Sequence, residues 1–139
     1  MDRLLKGIVM ARYSEGEGFA VIPGIFHVTR VNNTGAAFGM MRGSVFFLAV
    51  ISTLCIAFLA WSVWRSMSGP RGQAAAGFAG LLASSLVIGG AAGNLYDRVR
   101  FGYVVDYLDL RIWPVFNVAD AAICAGVFLI GLGLFRRSA

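Results

Sequence analysis

Asp106 and Asp120 are the residues of this sequence best placed to do chemistry. Both stand beside long apolar segments, where a carboxylate is expensive and is usually retained for function. The stretch from Ile88 to Asp120, IGGAAGNLYDRVRFGYVVDYLDLRIWPVFNVAD, holds four of the seven acidic residues. Two carboxylates brought together at a dry boundary cannot both ionise cheaply. They share a proton, and one acts as base and the other as acid toward a bound water. That is the chemistry of an aspartic protease. The parts for other routes to peptide cleavage are missing: His27 is the only histidine, with no Cys, His or carboxylate at ligand spacing, so no metal site is expected. Proton-coupled transporters also carry aspartates in their spans. A small transporter or proton-relay subunit using Asp106, Asp97 and Arg98 therefore stands as the alternative on these residues alone.

Other polar groups fall in step with the pair. Asn94, Asp97 and Arg98 are spaced i, i+3 and i+4, which at a helix end puts an amide, an acid and a guanidinium on one face, toward whatever Asp106 and Asp120 surround. Asn117 and Asp120 are three residues apart at the start of an apolar run. Their bland role is an N-cap with an acid at N3, which the helix dipole favours.

The elements that must hold these groups are membrane elements. Of the 139 residues 58% are hydrophobic and 14% charged, far too apolar for a soluble domain. The net charge of +5 is spread over scattered arginines without a basic helix or interleaved aromatics, so no nucleic-acid partner is expected. Residues 44–64, 74–95 and 118–135 are apolar runs of spanning length, with Trp61 and Trp64 where aromatic rings favour the interface. The second run carries small residues at Gly77, Gly80, Ser84, Gly89, Gly90 and Gly93, which suit close packing and predict a central place in the bundle. Cys55 and Cys124 read as small buried hydrophobes. Residues 1–43 are expected outside the hydrocarbon as strands and a loop, with two short strands from Phe19 to Asn33 about the Pro23-Gly24 turn. The reading is one membrane-embedded domain over residues 1–139: a mainly α, polytopic bundle with a small β-containing region at its surface.

Four motifs read together make the pattern specific. VNNTGAAFG (31–39), GNLYDRV (93–99), GYVVDYLD (102–109) and WPVFNVAD (113–120) resemble those of the bacterial lipoprotein signal peptidases, also called signal peptidase II, in the family's order and spacing from Asp2 to Phe135. The resemblance implies an aspartic endopeptidase of the bacterial inner membrane, multi-pass and without a cofactor, with its active site toward the outer leaflet. It places the catalytic aspartates at Asp106 and Asp120. It implies that Asn33, Gly35, Asn94, Arg98 and Asn117 surround the dyad and the substrate, and Asp97 is given a structural role. The implied substrate is a prolipoprotein carrying diacylglycerol on the cysteine after the cleavage site, cut just before that cysteine. Membrane lipid is the implied surrounding, globomycin the implied inhibitor, and the enzyme is expected to act as a monomer.

The chain also departs from the pattern. The family has four transmembrane helices, the first ending in a DQxxK-like motif, whereas here Asp2 and Lys6 hold the acidic and basic positions at the very start. They read as the remnant of a lost helix end, which leaves an inactive truncated fragment as a further alternative. Tyr107 replaces the Phe common after the first catalytic aspartate, a change without clear consequence. Arg98, Arg100, Arg111 and the N-terminal basic residues outnumber Arg65, Arg71, Arg136 and Arg137, so charge counting alone would put the dyad in the cytoplasm. The resemblance implies the opposite side.

Overall fold

A computed structural model of the chain describes residues 1–35, 43–68 and 72–138, with side chains withheld at 72–76 and 136–138. Ala36, Ala37 and Gly39 of the first motif and Arg42, Arg71, Arg136 and Arg137 of the charge count fall outside the described residues or side chains. In order, the elements are α1 (Asp2–Arg12), β1 (Gly18–Ile22), β2 (Phe26–Asn33), α2 (Val45–Ser68), α3 (Gly72–Phe101), β3 (Val104–Asp109) and α4 (Val118–Ser138).

Three helices among the described residues are long and apolar enough to cross a membrane: Val45–Ser68, Gly77–Phe101 and Val118–Phe135. The mainly helical, polytopic reading holds. As expected from its small residues, α3 lies centrally, packed against both α2 and α4. The closest approach is at Gly90, where an added Cβ would stand 2.5 Å from the Ala119 carbonyl oxygen and 2.8 Å from Ile123 Cγ1. Gly126 of α4 is the reciprocal site, where an added Cβ would stand 2.6 Å from the Ala83 carbonyl oxygen. Gly77, Gly80 and Gly89 do not share this role, since nothing lies within 4 Å of where their Cβ atoms would be. Gly77 instead supplies the positive φ of 47° at a break in α3.

Gly90→Ala is therefore expected to destabilise the bundle by about 1–3 kcal/mol, as overpacking of a tight contact does. Gly89→Ala should be neutral or slightly stabilising, because it gains helix propensity in open space. Thermal unfolding of the two variants in one detergent separates them; equal midpoints would mean that the Gly90 contact does not set the α3–α4 distance.

Cys55 and Cys124 are exposed, which corrects the expectation of buried hydrophobes. Three packed spans leave much of each helix surface uncovered, as at Cys55, and Cys124 lines a cavity, so an apolar run need not be a buried one.

The sheet joins the bundle at the end where α3 finishes and α4 begins. Its order is β1-β2-β3, all antiparallel. β3 pairs with β2 in the register Val31↔Asp106, Asn32↔Val105 and Asn33↔Val104, with an irregularity between Val28 and Val31. β3 lies between the apolar runs 74–95 and 118–135, where the sequence offers no strand pattern. Val104, Val105, Asp106 and Tyr107 are all buried, so this strand lacks the alternation that marks a half-exposed one.

Residues 2–12 differ as well, forming a helix where only strands and a loop were expected. Its apolar Leu4, Leu5, Ile8 and Val9 do recur at helical spacing, but Leu4 and Ile8 are exposed and the buried residues are Lys6 and Val9, so the face turned inward is not the apolar one.

Candidate active site

The geometry of the site follows from three junctions. α3 ends at Phe101, and the turn through Gly102, at φ 79°, sends the chain directly into β3. Next, the segment after β3 folds back on it: Phe116 N donates to the Leu108 carbonyl at 3.1 Å, and Leu108 N donates to the Phe116 carbonyl at 2.7 Å. That return delivers Asn117 to the start of α4 beside Asp106. Finally, β2 lies along β3 and ends at Asn33.

Both oxygens of each carboxylate accept a hydrogen bond. Asp106 Oδ1 receives Asn117 Nδ2 at 2.7 Å, and Oδ2 receives Asn33 Nδ2 at 2.9 Å. Asp120 Oδ1 receives Asn94 Nδ2 at 2.7 Å, and Oδ2 receives the Asn117 backbone N–H at 3.2 Å. Asn117 Nδ2 also reaches Asn94 Oδ1 at 3.2 Å, so two amides bridge the two acids. The capping role of Asn117 is present too, because its Oδ1 accepts the Asp120 N–H at 2.9 Å. Capping and site geometry thus coincide in one residue pair.

Burial pushes the Asp106 carboxyl up to about 7, against hydrogen bonds from Asn33 and Asn117, and the neighbouring Asp120 charge adds to the rise. Because the folded chain retains a proton that the unfolded chain releases, this group's contribution to stability falls as pH rises from about 3.8 to about 7.

Asp106 and Asp120 line one cavity of about 1080 Å³, together with Asn33, Gly35, Asn94 and Arg98. Arg98 donates to the Gly35 carbonyl at 3.3 Å, joining α3 to the end of β2. Asn117 lies behind the acids, fully buried. Asp97 shares the helix end with Asn94 and Arg98 but not the cavity. It pairs with Lys6 Nζ at 2.8 Å, with Arg3, and accepts the Val105 N–H at 3.3 Å. The face predicted for Asn94, Asp97 and Arg98 is therefore divided: two of its members face the cavity and one faces α1.

Three residues here were underread from the sequence. Lys6 is completely buried and donates to Asn94 Oδ1 at 2.8 Å, the amide that holds Asp120. Asp2 lies 2.9 Å from Lys6 and receives the Ala119 N–H at 3.3 Å, capping α4 from another element. The Tyr107 hydroxyl donates to Asp2 Oδ1 at 3.0 Å and accepts the Val118 N–H at 3.4 Å, so the hydroxyl absent from Phe has a use. The available signal was Asp2 and Lys6 at i, i+4 in an apolar chain, a spacing that makes an ion pair.

Among the described residues, no group of three His, Cys, Asp or Glu side chains could hold a metal ion. What the arrangement offers is two carboxylates in different hydrogen-bonding environments, amide-bridged, facing one large apolar-walled cavity.

A family model described as signal peptidase (SPase) II matches residues 1–136. The lipoprotein signal peptidase of Halothermothrix orenii is 42% identical over 137 residues, covering 99% of this chain and 89% of the relative. That of Moorella thermoacetica is 42% identical over 131 residues, covering 94% and 82%. A bacterial membrane enzyme solved by the in meso method at 2.3 Å superposes with a TM-score of 0.86 at 31% identity, covering 99% of this chain and 82% of that one.

Proposed function

The chain belongs to the signal peptidase II family, and from that premise and the paired carboxylates we propose that it removes signal peptides from prolipoproteins by aspartic catalysis. The observation that carries this reading is the shared cavity: Asp106 and Asp120 open onto the same space and are bridged by Asn94, which also lines it, and by Asn117 behind it.

Asp106 and Asp120 hold one proton between them, and the ionised partner removes a proton from a water in the cavity. That water attacks the scissile carbonyl while the protonated partner supports the developing oxyanion and then protonates the leaving amine. Asn33 and Asn117 orient Asp106, and Asn94 orients Asp120. Arg98, with Gly35, holds the backbone of the extended substrate at the cavity rim.

The bond cut lies just before a cysteine carrying diacylglycerol, whose acyl chains extend beside α4 toward lipid. Globomycin is the expected inhibitor of the same cavity, no cofactor takes part, and one chain suffices. The enzyme lies in the bacterial inner membrane with the sheet and dyad toward the outer leaflet, where such a substrate is presented. The test is cleavage by the purified protein in lipid: a diacylglyceryl-modified prolipoprotein should be cut, and its unmodified form should be cut far more slowly. Equal cleavage of both would remove the lipid from the specificity.

A pH profile follows from Asp106. The active pair carries one proton, so kcat/KM should fall by about tenfold per pH unit once pH is well above 7. A rate still flat at pH 9 would show that no proton held near neutrality is needed.

A further inference from the structure

We infer that Glu15 selects the charge of the residues that follow the modified cysteine, favouring basic and disfavouring acidic side chains; this rests on the peptidase reading above. The cavity that holds the dyad has two ends of different character. Ile123 and Cys124, at the start of α4, line the end that enters the membrane span. Glu15, with Asn32, lines the other end, on the α1–β1 connection and β2, which belong to no spanning helix. A lipid-modified substrate fills such a cavity in one sense only. Its apolar signal segment and acyl chains occupy the membrane end, and the chain beyond the scissile bond leaves past Glu15.

Glu15 is fixed where it could act. Its Oε2 accepts Asn32 Nδ2 at 3.1 Å. The connection carrying it is tied to β2 by Gly16 N–H to the Arg30 carbonyl, Arg30 N–H to the Glu17 carbonyl, and Arg30 Nη1 to the Tyr13 carbonyl, each at 2.8 Å. The neighbouring Glu17 is engaged, accepting the Ser14 N–H at 2.8 Å. Among the described residues Glu15 makes no direct ion pair; Arg30 reaches it only through Asn32, whose Oδ1 accepts Arg30 Nε at 3.3 Å. An oriented carboxylate without a direct ion-pair partner at the mouth of a substrate cavity attracts a cation and repels an anion.

The experiment uses the full chain in lipid and three diacylglyceryl-modified peptides that differ only in the second residue after the cysteine: Lys, Ser or Asp. With the wild-type protein, kcat/KM for the Lys peptide should exceed that for the Asp peptide by about fivefold at low salt, the size of one exposed charge contact. The ratio should approach one in Glu15→Gln, invert in Glu15→Lys, and shrink for the wild-type protein at high salt. Ratios within each protein cancel differences in folding or insertion. The same ratio in all three proteins, or a wild-type preference that salt leaves unchanged, overturns the role of Glu15 while leaving the peptidase reading intact. Failure of the wild-type protein to cut any of the three peptides overturns both.

Discussion

Asp106→Asn and Asp120→Asn should each lower kcat on a diacylglyceryl-modified prolipoprotein by about a thousandfold or more, the scale on which a positioned acid or base is lost. Each change keeps the shape of the side chain and removes its ability to share a proton. Each also turns one accepting oxygen into a donor facing an existing donor, Asn33 or Asn117 at position 106 and Asn94 or the Asn117 N–H at position 120. That mismatch is offset in part because a buried charge disappears, so both variants should still insert and accumulate. Asp109→Asn is the matched control on the same strand. Asp109 binds Thr29 Oγ1 at 3.0 Å and the Arg111 N–H at 2.9 Å and does not line the cavity, so its loss should leave most of the turnover. Steady-state kinetics on the three purified variants decide the matter. Comparable rates for Asp106→Asn and Asp109→Asn would remove Asp106 from the chemistry.

Lys6→Met should produce the largest loss of stability, about 3–5 kcal/mol, as breaking a buried ion pair does when one partner is left behind. The methionine fills nearly the same volume. It leaves Asp2 without the ammonium at 2.9 Å, Asp97 without the one at 2.8 Å, and Asn94 Oδ1 without its donor. Arg3 still pairs with Asp97, so the damage should concentrate on the attachment of α1 to β3 and α4. Adding Asp2→Asn to Lys6→Met removes the orphaned charge and should recover part of the loss. Unfolding followed in one detergent provides the test; a Lys6→Met midpoint equal to the wild type would mean that the buried charges do not hold α1.

The spans were the most legible part of the fold, because a charge-free run of spanning length has few other readings in a chain this apolar. The central position of α3 was legible in its small residues, although only some of them touch a neighbour: Gly90 does and Gly89 does not. Helical phase could have distinguished them only with the partner helix already known. β3 and α1 were illegible for related reasons. A strand buried on both faces has no alternation to read, and in α1 the apolar spacing of Leu4, Ile8 and Val9 does not mark the inner face, where Lys6 is buried and Leu4 and Ile8 are exposed.

At the site, residue type and spacing singled out Asp106, Asp120, Asn94 and Asn117, the resemblance added Asn33, and the structure brings the five into one hydrogen-bonded set. The division of labour inside that neighbourhood was hidden. Asp97 turns away from the cavity because Lys6 and Arg3 approach it from an element ninety residues earlier, and no local pattern encodes that approach. Tyr107 shows the same limit, since its hydroxyl matters only once Asp2 lies against it.

The most direct measurement is the mass of the peptides released when the purified protein cuts a diacylglyceryl-modified substrate in water enriched in oxygen-18, run beside the Asp106→Asn/Asp120→Asn double variant. The expected result is a signal peptide ending immediately before the lipid-bearing cysteine, with one oxygen-18 in its new carboxylate and no such peptide from the double variant. Equal yields of that peptide from both proteins would contradict the assignment of hydrolysis to Asp106 and Asp120.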